Sequence, residues 1–330
     1  MLQRHLVLAL GTASALAILA GTAFDLWRSR ADALERTETR LADLALVLAE
    51  QTERAVSQLD SILGGIAEDL ARQARPGELR IGATLLDELR SHDGVPQLQA
   101  LGVFDSSGNL VAWSRALPVP SVNVADREYF RVHRERAANG PYVSAPFTSR
   151  IDGRPTMVVS RRVAGPNGRL AGVVTASVKL AYFTDLYRSL DLGAGGGIRL
   201  FHRDGALVGG DPVASDPRAA LVTTQAQRTL APGDAAVAEV ADVGGGRRGV
   251  AAVRALRGLP LVLTARSTTE HVLAEWRPGA WTVGAMGAIA ALAVLALAIA
   301  LERRMAAEAR RRHALDELEA RWRFALEGAE

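Results

Sequence analysis

The sequence predicts an α+β chain in which a long N-terminal helix carries two antiparallel-sheet modules, with a transmembrane helix at each end. Three observations predict it. The uncharged runs Leu6–Phe24 and Pro278–Leu301 can each cross a bilayer, since about 20 apolar residues at roughly 1.5 Å apiece span roughly 30 Å of hydrocarbon. A helical leucine pattern fills Ser29–Ala74. Short apolar stretches with glycine turns follow and recur in the same order.

The first span is read as residues 6–26 and the second as 278–301. A helix satisfies every backbone group inside lipid. Arginine near a span marks the cytoplasmic side, so Arg4, Arg303, Arg304 and Arg310–Arg312 predict both termini in the cytoplasm of a bacterium. Residues 27–277 then lie in the periplasm, anchored in the inner membrane. Arg4 with Gly21-Thr22-Ala23 also fits a cleaved signal peptide. The length of the run and the helical pattern beyond it favour an anchor, and the middle of the chain stays outside either way.

Composition narrows the chemistry. The net charge of +3 leaves no footprint for nucleic acid, and Lys179 is the sole lysine among many arginines. Cysteine is absent, which excludes disulfides, thiol nucleophiles and Cys-type zinc sites.

Along the first helix, Leu34, Leu41, Leu44, Leu48, Leu59, Leu63, Ile66 and Leu70 recur at helical steps between charged residues, and no proline intervenes before Pro76. Such a helix packs on its own domain, pairs with a second copy to make a homodimer, or does both. Residues 27–96 are assigned to this stalk and its connection.

The first module is read as residues 97–192. Leu98–Phe104 and Leu110–Trp113 flank Asp105-Ser106-Ser107-Gly108; Tyr142–Arg150 and Pro155–Val163 flank Asp152-Gly153, a favoured hairpin turn. Leu170–Lys179 is a further strand. Asp126–Ala137 reads as a helix with Asp126 as N-cap, and Tyr182–Leu190 as another. The second module, residues 193–270, repeats the first: Val103–Val111 aligns with Leu200–Val208, and Leu170–Ala176 with Leu259–Ala265. Gly193–Gly197 and Gly244–Gly246 are read as its loops. A connecting helix over 271–277 enters the second span, and a signalling helix over 302–320 leaves it, with Leu315, Leu318, Trp322 and Leu326 on one stripe.

No catalytic constellation is visible. The six histidines are scattered without metal-ligand spacing. Gly193–Gly197 precedes a strand, so it lacks the helix N-terminus of a phosphate loop. The expectation is no catalytic residue, no metal, no cofactor and no enzyme active site within these residues.

Residues Asp126-Arg127-Glu128-Tyr129-Phe130, then Gly140–Ser144, Ser149–Pro155 and Ser160-Arg161-Arg162, resemble the membrane-distal module of double Cache sensor regions, whose modules are PAS-like. The resemblance covers about Trp27 to Arg277. It implies a small-molecule ligand in the distal module and a relay through the proximal one. Residues 321–330 resemble the opening helix of a cytoplasmic PAS domain, so the chain reads as stopping just inside one; an ordinary amphipathic tail is the other reading. Sensors of this kind precede diguanylate cyclases, sometimes paired with a phosphodiesterase, which is the leading expectation for the output, with a histidine kinase as the nearest rival. A chemoreceptor is disfavoured by the lack of a HAMP-like pattern over 302–330, and a stand-alone anchored binding protein or a periplasmic enzyme ranks lower.

The candidate ligand residues are Arg127, Tyr129, Phe130, Tyr142, Arg150, Arg161 and Ser177. Arg127 offers a planar donor fork suited to a carboxylate. Tyr129 and Phe130 offer aromatic wall, and Tyr142 a hydroxyl at the rim. Arg150 and Arg161 are further anion contacts. In amino-acid-binding relatives an arginine–aromatic motif grips the carboxylate and an aspartate holds the amine. The resemblance puts Ser177 at the aspartate's place, which implies an anionic or neutral ligand such as an organic acid and not an α-amino acid. Alternatives stay open: Arg127 as an ion-pair partner of Asp126 or Asp152, Tyr129 and Phe130 as core, Arg150 and Arg161 as solvated residues, Trp113 as packing.

Overall fold

The structure is a computed structural model that describes residues 2–74, 79, 81–115, 118–136, 140–190, 192–193, 196–210, 230–240 and 248–327. The reading of Gly244–Gly246 as a loop lies outside the described residues. The chain forms two compact units, one of residues 1–35 and 272–330, the other of 36–271.

Helix α1 (Leu2–Gln73) and helix α5 (Thr269–Glu327) supply the first unit. Each contains a stretch long and apolar enough to cross a membrane. Small residues meet between them: Gly11 lies against Ala298, and Gly287 against Thr22. Their absent or short side chains allow close backbone approach. Trp276 Nε1 donates to Ser29 Oγ at 2.9 Å.

In the second unit, α1 buries Leu41, Leu48, Leu59, Leu63, Ile66 and Leu70, the stripe set by their three- and four-residue spacing. Helix α2 (Ala83–Ser91) follows; the sequence reading did not resolve it. The first sheet contains β1 (Leu98–Asp105), β2 (Leu110–Trp113), β3 (Tyr142–Val143), β4 (Phe147–Thr148), β5 (Pro155–Ala164) and β6 (Leu170–Lys179). Its order is β2-β1-β6-β5-β3, with β4 also on β5. The expected Tyr142–Arg150 strand is therefore two short ones; between them the Ser144 N–H donates to the Val158 carbonyl at 2.9 Å and its hydroxyl, not its carbonyl, accepts from the Val158 N–H at 3.0 Å.

Helix α3 (Glu128–Glu135) begins later than expected. Arg127 occupies the cap position without a side-chain cap bond, since a guanidinium has no acceptor to offer; the Asp126 carboxylate expected there is held by the Arg150 guanidinium, with both contacts at 2.7 Å. Helix α4 (Leu180–Arg188) leads directly out of β6.

The second sheet, β7 (Gly197–His202), β8 (Leu207–Gly210), β9 (Ala235–Val240), β10 (Gly249–Ala255) and β11 (Leu261–Thr268), has the order β8-β7-β11-β10-β9. Strand for strand this repeats the first sheet. Phe104 faces Val173 and Gly102 faces Thr175 in one; Phe201 faces Val262 and Arg199 faces Thr264 in the other. Both β1–β2 and β7–β8 turns hold a glycine at positive φ, Gly108 at 85° and Gly205 at 99°, a conformation that costs glycine little.

One core joins α1, α2 and α4 to the near faces of both sheets, including Leu101, Val159, Ala176, Leu200, Leu263 and Ala265. A separate cluster, with Phe104, Trp113, Tyr129, Phe130 and Val158, lies on the far face of the first sheet.

Candidate functional site

The far face of the first sheet carries the candidate site. Period-two alternation turns Thr156 and Val158 of β5, and Thr175 and Ser177 of β6, to the same side. Phe104 of β1 and Trp113 of β2 continue that wall. The opposite wall comes from Val122 and Val124, from Arg127 and Tyr129 at the start of α3, and from Phe147 to Ile151 around β4. Gly102 lets the Trp113 ring lie flat on β1, since a Cβ there would meet that ring at 3.2 Å. The cavity is small, with room for about one water molecule. An organic ligand therefore enters only if its walls move apart.

Aromatic rings and arginines form its anion-attracting side. Tyr129 stacks on Phe147 with centroids 5.6 Å apart and lies 6.5 Å from Phe104. The Arg127 guanidinium sits 5.0 Å from the Phe147 centroid, a cation–π placement. Its NH2 reaches the Thr148 carbonyl at 3.5 Å. Among the described residues Arg127 pairs with no carboxylate: Asp126 is held by Arg150, and Asp152 accepts from Gln99 Nε2 at 2.6 Å. Arg150 also donates to the Asn123 carbonyl at 3.2 Å. The Arg150 hydrogen bonds hold the Asp126 carboxyl down at about 2. Burial pushes the Tyr129 phenol up to about 12, so it stays a neutral donor.

Four of the seven candidate residues, Arg127, Tyr129, Arg150 and Ser177, thus converge on this cavity. The other three stand elsewhere. Phe130 is fully buried in the cluster beneath α3. Tyr142 pairs with Ser160 across β3–β5, where burial, and after it the hydrogen-bonded Glu128 carboxylate, raises its hydroxyl. Arg161 points to the opposite face of β5 and holds Asp60 of α1.

The sequence reading missed Thr156, Thr175 and the walling role of Trp113, which is no mere packing residue because its ring lines the cavity. The signal was available: once Ser177 is placed on the cavity, alternation adds Thr175 and strand pairing adds Val158, which faces Ser177. His133 supports the site from behind. It is buried, Nε2 lies 2.9 Å from Ser160 Oγ, and burial lowers it to about 4. In the second sheet the register positions of Gly102 and Ser177 hold Arg199 and Arg266, both buried, so that face is built differently. Among the described residues no group of three or more histidines and acids gathers as a metal site.

Comparison with known proteins places this architecture. The family model described as Cache domain matches residues 29–276. The extracellular domain of rpHK1S-Z16, assigned as a histidine kinase, is 31% identical, with a TM-score of 0.63 over 73% of this chain and 98% of its own. The periplasmic sensory domain of the Campylobacter jejuni chemoreceptor Tlp1 is 13% identical, with a TM-score of 0.59 over 73% and 98%. The ligand-binding domain of the Pseudomonas fluorescens chemoreceptor CtaA, solved with L-isoleucine, is 14% identical, with a TM-score of 0.55 over 75% and 98%. The last two share the fold. No curated protein sequence matches the chain. With the family model spanning most of its length and a solved extracellular domain nearly one-third identical to it, the chain belongs to the Cache domain family.

Proposed function

We propose that the chain is the sensing part of a two-pass receptor in a bacterial inner membrane, a double Cache region that binds a small organic anion in its first sheet module. Residues 97–192 are the membrane-distal module and 193–270 the proximal one; both termini are cytoplasmic. The spans are residues 6–26 and 278–301, which two long apolar helices support. The observation that carries the ligand class is the charge of the cavity: Arg127 and the Asp126-paired Arg150 line it, and among the described residues no carboxylate does. The carboxylate beside the lining, Asp126, is already taken by Arg150, so an ammonium group there has no free counter-charge, and burying one without a partner is costly. The relatives solved with amino acids have chosen otherwise from the same fold.

Binding at α3 reaches the long helix through the sheet, and the second span passes the change to the cytoplasm by biasing two states. Two outputs fit: a PAS-linked diguanylate cyclase, or a histidine kinase, which the relationship to rpHK1S-Z16 favours.

The test is a thermal-shift screen of organic acids and amino acids on the full chain in detergent. At least one acid raises Tm, and Arg127→Ala removes that shift while leaving the unliganded Tm within a few degrees. Stabilisation by amino acids alone, or by acids independently of Arg127, overturns the ligand class. Reporter fusions that put residues 97–270 in the cytosol overturn the receptor topology.

A further inference from the structure

The cavity is polarised in hydrogen bonding as well as in charge. At one pole stand donors, the Arg127 guanidinium and the neutral Tyr129 phenol. At the other stand three hydroxyls on paired strands: Thr156, Thr175 and Ser177 are 1%, 2% and 9% exposed. Thr156 Oγ1 lies 3.1 Å from both the Met157 and the Val178 carbonyls, and its one hydrogen goes to that pair. Thr175 Oγ1 donates to the Gly102 carbonyl at 3.3 Å. A hydroxyl has one hydrogen and two lone pairs. Both threonines have committed the hydrogen to the backbone, so they present only acceptors to the cavity. Among the described residues the Ser177 hydroxyl has no hydrogen-bond partner, and it lines the same wall.

A ligand that satisfies both poles carries an anion at one end and a neutral hydrogen-bond donor at the other. Resting on the organic-anion reading above, we infer that the ligand is a short hydroxycarboxylate, its carboxylate on Arg127 and its hydroxyl donating to a threonine oxygen while accepting from Ser177. A keto acid's carbonyl oxygen accepts from Ser177 but brings no hydrogen for the threonine oxygens, so it makes one bond fewer than a hydroxyl. A plain acid has no group for the Ser177 hydroxyl, which has no hydrogen-bond partner among the described residues, and a buried polar group left so costs binding. An α-amino acid has the donor but brings a charge that the lining does not balance.

Isothermal titration of the full chain in detergent compares four three-carbon probes: lactate (both enantiomers), pyruvate, propionate and L-alanine. One enantiomer of lactate binds about tenfold more tightly than propionate or pyruvate, as one well-placed neutral hydrogen bond supplies. Ser177→Ala brings lactate close to propionate, Ser177→Thr restores the difference because the hydroxyl is kept, and Arg127→Ala abolishes binding of all the acids. Propionate or pyruvate binding as tightly as lactate, with Arg127 still required, overturns the hydroxyl inference and leaves the anion reading standing. Alanine binding most tightly, affinities indifferent to Arg127, or no binding of any probe at millimolar concentration overturns both.

Discussion

Arg161 on β5 grips Asp60 on α1 with two donors, Nε to Oδ1 at 2.5 Å and NH2 to Oδ2 at 3.1 Å. The strand is thereby tied on one face to the long helix while its other face, through Thr156 and Val158, walls the cavity. Both partners are about three-quarters buried. The sheet's second tie runs from the Gln97 amide to Gln58 at 2.9 Å and to the Ala55 carbonyl at 3.2 Å. Further along, the Arg257 backbone N–H donates to Glu53 Oε1 at 2.6 Å. The helix thus touches both sheet modules through polar contacts within three turns.

Asp60→Asn removes the charge and leaves the guanidinium a weaker acceptor. A partly solvated bidentate pair is worth about 1 kcal/mol after screening, so Tm falls by about 2–4 °C for a unit of this size. Ligand affinity stays unchanged, because neither residue lines the cavity. Titration calorimetry beside a melting curve checks both halves.

At the cavity mouth, Asp126→Asn acts in the opposite sense. The carboxylate is ionised at any pH above about 2, and it offsets the positive charge of Arg150. Its removal raises affinity for an anionic ligand by about threefold at low salt, and the gain shrinks in 0.5 M salt as screening takes hold. A loss of affinity would mean that Asp126 serves chiefly to aim Arg150.

His133 gives the distal module a pH dependence of its own. Burial lowers its pKa from 6.5 to about 4, so the folded state binds fewer protons than the unfolded chain between these values. Stability is complete above pH 6.5 and declines as pH falls toward 4, by about 2 kcal/mol between pH 7 and pH 5. His133→Gln keeps a donor for Ser160 and flattens that interval. Urea midpoints at the two pH values measure the difference.

Tyr187 and Thr52 give an asymmetric pair. Thr52 Oγ1 donates to the Leu48 carbonyl at 2.8 Å, so in the 2.9 Å contact with Tyr187 the phenol is the donor. Tyr187→Phe therefore costs about 1 kcal/mol, whereas Thr52→Val strands a buried phenol and costs about 2 kcal/mol. Both variants, read by chemical denaturation, report how firmly α4 is fastened to α1.

Local rules made much of this chain readable from its residues. Leucine spacing announced α1. Glycine turns at 108 and 153 announced the hairpins, and the echo of Val103–Val111 in Leu200–Val208 anticipated a second sheet with the same strand order. These features depend on neighbours a few residues away, through helical and pleated periodicity. Arg127 and Ser177 came from the resemblance to double Cache modules, and the structure lines one cavity with both.

Partner choice was not legible, because it is made across long loops. Nothing near Arg150 or Arg161 in the sequence says that one meets Asp126 and the other Asp60, a hundred residues away; a guanidinium reaches whichever carboxylate the packed sheet brings within 3 Å. The same holds for α3, whose cap position falls on Arg127 while Asp126 pairs with Arg150. The hydroxyl wall arose in the same way, since only the register of β5 on β6 sets Thr156 and Val158 beside Ser177 and turns the threonine hydrogens to backbone carbonyls. Periodicity is written along the chain, while the meeting of charges and hydroxyls is settled by tertiary packing.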